Sequence, residues 1–406
     1  MRLTQLALDK WHSHEKITNY ASQIEQLCVQ CGTLPDRLEN LDKYKHDKKY
    51  LLKTIALCLT IMISGTREFY IMFCVTDAQE QRKLYYLMWN SGMPGHTVSF
   101  IYAANTFLHV PFWIWFAFIH VYRGATDFRK YLIPLQRDDT AHLLCLNSEM
   151  LEKYRVYVKM SYKAAVFTGR SIGSSVALVW FFSLVRSVMA ARSIEERLTF
   201  ILVYVVTMFC VWHMVWSMFS TYSVYYSVVY YTKLKYKQFN GYLACLAKCA
   251  DQSKNEQKVC RKLSTVISEQ NNLINIFNDV NVLVQNVIFI IVYCFVPYTA
   301  SVIFFIFLME FKQWYVKYGL AFLCFQECKA TWVILSHATC INVHVMESYR
   351  KLHAIVARHN RAISTADRMK ILQTLEKMSD SDQPMVFTCS DLYSFTTWSF
   401  LDVSLE

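Results

Sequence analysis

Six apolar runs of about twenty residues or more divide this 406-residue chain, and they constrain its fold more than any motif. They cover 51–75, 97–122, 164–188, 198–231, 276–311 and 314–335. A run of that length with few charges is long enough to cross a hydrocarbon core of about 30 Å as a helix. Composition agrees: 54% hydrophobic and only 18% charged residues, with 9 Gly and 6 Pro, where soluble proteins carry roughly 25% charged residues. The expected fold class is all-α, a polytopic helical membrane protein. Two runs exceed the bilayer. Residues 198–231 would form a helix of about 50 Å at ~1.5 Å per residue, and 276–311 carries Pro297 and is expected to bend there.

Orientation follows from the connections. Segments 1–50, 123–163, 232–275 and 336–406 hold 30 Lys and Arg, not counting Lys163, against 5 in the alternate connections. That bias places both termini in the cytoplasm. It also accounts for the formal charge of +11 without nucleic acid, for which no recognition motif is present. The expected organisation is a cytosolic segment 1–50, a six-helix bundle 51–335 with cytosolic loops 123–163 and 232–275, and, over 336–406, a cytosolic helical segment followed by the start of a truncated seventh helix. The N-terminus has no charged n-region leading into an apolar h-region, so no cleavable signal is read there.

Polar residues inside the runs are the informative ones, because each is costly in lipid unless it faces protein or water. In SGTREFY, Arg67 and Glu68 interrupt the first run. Either one lines a polar cavity, or the span bends or ends near Gly65 and both reach the outer interface. In NTFLHVPFWIWF, Asn105 and His109 are four apart on one helical face above Pro111. They form a pocket wall with neighbouring aromatics, or an interhelical hydrogen bond. Trp180, Tyr298, Trp314 and Lys317 complete the candidate ligand-binding set in the outer half of the bundle. In GRSIGSS, Gly169 and Gly173 have GxxxG spacing and predict close helix packing. Arg170 beside them lies near the cytosolic side and is read as a snorkelling, structural residue.

No catalytic or cofactor constellation is present: no GxSxG, Walker loop, HExxH or dinucleotide fingerprint. The chain is not read as an enzyme, and no cofactor is implied. Cys28 and Cys31 have CxxC spacing and Cys245 and Cys249 are four apart, but neither pair is completed to four zinc ligands. Disulfides are not expected to organise a chain whose cysteines sit in apolar or cytosolic segments.

The order of elements, with SEQNNLINIFNDVNVLVQN entering the fifth run, HATCINVHVMESYRKLHAIV after the sixth and PMVFTCSDLYSFTTWSFL near the end, resembles arthropod gustatory receptors. The resemblance spans roughly residues 262–405; the first four runs share only hydropathy, topology and length. It implies a seven-helix protein of the plasma membrane with an intracellular N-terminus. Such a protein assembles as a homo- or hetero-tetrameric, ligand-gated, nonselective cation channel that detects small-molecule tastants. It further implies that cytosolic extensions of helices four to six form an anchor and that the seventh helix lines the pore. The family's Thr-Tyr, five residues, Gln-Phe signature has no counterpart here, so the chain is expected to lack its last helix. The alternatives are a diverged receptor-like scaffold or accessory subunit, and a small-molecule transporter. The latter is disfavoured because the two groups of three runs show no repeat.

Overall fold

A computed structural model describes residues 20–74, 95–124, 128–252, 256–290, 296–308, 314–358 and short pieces between 369 and 394. These residues are helical apart from one two-rung antiparallel strand pair, β1 (Thr388–Cys389) with β2 (Tyr393–Ser394). The helices are α1 (Tyr20–Gln30), α2 (Lys48–Cys74), α3 (Gly95–Phe116), α4 (Ser148–Ala190), α5 (Ile194–Gln252), α6 (Glu256–Ile290), α7 (Val296–Leu308) and α8 (Trp314–Arg358). Short helical pieces at Leu38–Tyr44 and Arg129–Leu132 decorate the connections.

Three helices are long and apolar enough to cross a membrane, over Lys48–Arg67, Ser148–Ala190 and Ile194–Lys248. Thr106–Tyr122 and Thr299–Leu308 are apolar but shorter. In the three long windows only 28%, 24% and 22% of the residues are buried. Leu59 and Ile63 on α2, Phe181 and Phe182 on α4, and Leu202, Val205 and Trp212 on α5 are exposed. A water-soluble protein does not leave so large a contiguous apolar surface bare; lipid is the medium it fits.

Helix ends and bends follow local chemistry. Asn147 caps α4 by accepting from the Met150 N–H at 2.8 Å. The turn into α5 is a variant of the capping box: Ser193 Oγ accepts from the Glu196 N–H at 3.1 Å, and Glu196 Oε2 accepts from the Arg192 N–H at 2.8 Å. Pro111 sits inside α3, which widens to a π-helical stretch over Ala117–Tyr122. Run 276–311 is described as two helical pieces, and the bend expected near Pro297 borders residues 291–295, which lie outside the described residues. α6 is described to Ile290 and α7 from Val296, with Pro297 inside the second piece. α2 runs unbroken past Gly65 to Cys74, so the first span does not end at that glycine. Gly65 instead lets α3 approach: a Cβ there would lie 2.8 Å from Thr106 Cβ and Cγ2.

α5 is the organising element. Its 59 residues span about 88 Å, and it packs against α4, α6 and α8. Over its first third it is largely exposed, whereas from Met214 to Asn240 nearly every residue is buried. Ser217, Ser220, Thr221, Ser223, Ser227 and Thr232 keep that stretch dry by donating to carbonyls three or four residues back. The main core lies here. α1 contributes Ala21, Ile24 and Cys28, the loop before α4 contributes Phe128, Tyr131 and Leu132, and α6 and α8 contribute Val280, Leu283, Ile341 and Val345. Leu34, Leu38, Leu41 and Tyr50 pack into the same core, so the segment before α2 is docked on the helices that follow it. The strand pair rests on α6.

Candidate functional site

The second, smaller core joins α2, α3 and α5 through Cys58, Ile61, Val110, Trp113, Cys210, Val211 and Met214. On α3, His109 and Trp113 lie one turn apart. Trp113 stacks on His213 of α5 with ring centroids 6.5 Å apart and an 18° interplanar angle, and Phe209 meets the same imidazole edge-on at 4.4 Å. His109 Nε2 lies 2.8 Å from Met218 Sδ.

The N-terminal chain closes this seam. After α1 it turns at Gly32, whose φ of +76° suits glycine and whose Cα faces the Trp113 ring. Ser220 Oγ donates to the Ser217 carbonyl at 3.0 Å, so it is Thr33 Oγ1 that donates to Ser220 at 2.9 Å. The Cys28 thiol donates to the Ser220 carbonyl at 3.8 Å and Tyr50 Oη to the Thr33 carbonyl at 3.4 Å. Burial pushes the Cys31 thiol up to about 12 and that of Cys28 further still. Both remain protonated at neutral pH and are poor nucleophiles. Among the described residues no group of His, Cys, Asp and Glu is placed to hold a metal.

Three polar atoms in this region are buried without a hydrogen-bond partner among the described residues: Trp113 Nε1, His213 Nδ1 and, on the α4-facing side of α5, Trp216 Nε1. An unsatisfied buried donor costs about 1–3 kcal/mol. Such groups beside stacked aromatic rings can take up a small ligand carrying an acceptor.

The predicted residues are not all gathered there. His109 belongs to the seam. Arg67 lies half-buried towards the end of α2, Trp180 is half-buried on α4, and Lys317 is exposed at the start of α8. The side chains of Glu68, Asn105, Tyr298 and Trp314 lie outside the described residues. Gly169 packs close to α5, with Trp216 ring atoms 3.1–3.4 Å from where a Cβ would stand, and Gly173 meets nothing within 4 Å among the described residues. Trp113 and His213 meet across 100 positions, and that stacking leaves no mark in either local sequence.

The chain matches no protein-family model and no curated protein.

Proposed function

We propose that this chain is a gustatory-type chemoreceptor subunit: a six-span bundle with both described ends in the cytoplasm, binding a small tastant among its helices and gating a nonselective cation conductance in a tetramer at the plasma membrane. The observation that carries the reading is the Trp113–His213–Phe209 stack, with unsatisfied buried nitrogens, inside a bundle whose outer surface is apolar. Supporting it are the positive-inside charge bias, helices α4, α5 and α8 of 43, 59 and 45 residues that outreach a bilayer, and the dry core at the end bearing the basic connections. Signal transduction then runs from the seam to that core along α5, which belongs to both.

Oocytes expressing the complete open reading frame of the transcript should give tastant-evoked, nonselective cation currents. His213→Phe should raise the half-maximal ligand concentration about tenfold, the size of one hydrogen bond worth ~1.4 kcal/mol. Surface-expressed protein silent to broad panels of sugars, bitter compounds and amino acids would favour the diverged, non-conducting subunit instead.

A further inference from the structure

The two sides of α2 are sharply divided. Lys48, Lys49, Leu52, Lys53, Leu59 and Ile63 are exposed, whereas Tyr50, Thr54, Cys58, Ile61 and Gly65 are buried. At about 100° per residue the exposed set falls within an arc of about 140°, and the buried set centres on the opposite side. The apolar members of the exposed arc are bare: Leu52 at 65%, Leu59 at 53% and Ile63 at 69%. They lie within the Lys48–Arg67 window that is long and apolar enough to cross a membrane. α2 therefore turns one stripe to lipid, with three lysines at its N-terminal end and apolar side chains along the rest.

The charge of these lysines is not neutralised locally. No Asp or Glu occurs from Lys48 to Arg67, and the two acids just before the helix are engaged elsewhere. Asp47 caps α2, its Oδ1 accepting from the Lys49 backbone N–H at 2.8 Å. Asp42 pairs with Arg129 at 2.7 Å and with Lys45 at 2.8 Å. Among the described residues no carboxylate pairs with the ammonium group of Lys48, Lys49 or Lys53. Lys49 and Lys53 stand at i and i+4, with Cβ atoms about 6 Å apart, and Leu52 lies beside them on the same arc. Helical side chains lean towards the helix N-terminus, so all three lysines lean off the apolar stripe towards the water at its end, the level at which a lipid headgroup sits.

We infer that this end of α2 binds an anionic phospholipid, its headgroup held by Lys49 and Lys53 with Lys48 beside them, and an acyl chain laid along Leu52, Leu59 and Ile63. The cluster of cations calls for an anion, and the apolar stripe continuous with it calls for a lipid as the source rather than free phosphate. The inference rests on the chain being a membrane protein. It is independent of whether the protein senses tastants or conducts.

The test is photo-crosslinking of the purified full chain in phosphatidylcholine nanodiscs doped with a trace of phosphatidylserine or phosphatidylcholine that carries a diazirine on its acyl chain. Crosslinked peptides are read by mass spectrometry, so the signal is local to α2. The phosphatidylserine probe should label the peptide bearing Leu59 and Ile63 more strongly than the phosphatidylcholine probe. Each basic residue near an anionic headgroup contributes about fivefold, so Lys49→Gln or Lys53→Gln should lower that labelling about fivefold and the double variant about thirtyfold. Replacing both by Arg should restore it. Labelling around the exposed Phe181 and Phe182 of α4 is the internal reference and should not change; Arg192→Gln, beyond the far end of α4, should leave both signals unaltered. Melting curves identical to the parent show that the variants are folded. Equal labelling of the α2 peptide by the two probes, or phosphatidylserine labelling unmoved in the folded double Gln variant, overturns the assignment. Loss of the preference in millimolar inorganic phosphate at matched ionic strength would overturn the lipid in favour of a free anion.

Discussion

Replacing Asn240 tests whether the core below the spans is held by polar contacts as well as by apolar packing. Its side chain is buried between α5 and α8. Nδ2 donates to the His344 carbonyl at 2.9 Å and to Glu347 Oε2 at 3.2 Å, while Oδ1 accepts from Ser348 Oγ at 2.6 Å. Asn240→Ala removes all three but leaves few orphans. Ser348 still donates to the His344 carbonyl at 3.0 Å, and Glu347 keeps Lys351 at 2.7 Å. At about 1 kcal/mol net per hydrogen bond, the loss should be about 2–3 kcal/mol. Asn240→Asp should be worse at neutral pH. The new carboxylate cannot donate, and it faces Glu347, whose carboxyl is held below its ordinary range chiefly by the hydrogen bond from Lys351 and is therefore charged. Burial and that repulsion raise the folded pKa of the new Asp above its unfolded value, so the deficit should shrink as pH falls towards 5. Denaturant titration in detergent micelles, followed by Trp fluorescence, measures each loss. An Ala variant within ~0.5 kcal/mol of the parent, or an Asp variant no worse than Ala at pH 7, would refute the reasoning.

Gly65→Ala, with its Cβ only 2.8 Å from Thr106, should force α2 and α3 apart and cost about 1–3 kcal/mol. Gly173→Ala meets nothing and should be neutral or slightly stabilising in the same titration. Gly241→Ala, in an exposed helix interior with open space around it, should gain about 0.5–1 kcal/mol. The hydrogen bonds from Arg129 and Lys45 hold the Asp42 carboxyl down to about 2. Its contribution is present above the unfolded carboxylate pKa near 4 and is lost as pH falls from about 4 to about 2. Asp42→Asn should flatten that part of the acid-stability curve, and high salt should do the same in the parent, because the pair is exposed.

What the sequence disclosed depends on how far each signal reaches along the chain. Run length is local, so α2, α4 and α5 could be read directly from hydropathy. The docking of residues 20–50 was half legible. Ala21, Ile24 and Cys28 stand at the i, i+3, i+7 spacing of a buried helical face, yet their charged surroundings weigh the segment towards the cytosol in any count of Lys and Arg. Close approaches were hidden more deeply. Gly65 and Thr106 are 41 positions apart, and nothing beside Gly65 distinguishes a glycine that admits a neighbouring helix from one that ends its own. Gly169 and Gly173 show the converse, because a shared motif gave two residues one role while their one-turn offset gave them different surroundings, one under Trp216 and one open. The seam was the least legible of all. A Ser/Thr-rich helix reads as indifferent to burial until its hydroxyls are seen bonding back to their own carbonyls. Once they do, α5 can pass through the core as though it were apolar, and the polar atoms left unsatisfied beside it, on Trp113 and His213, become the informative ones.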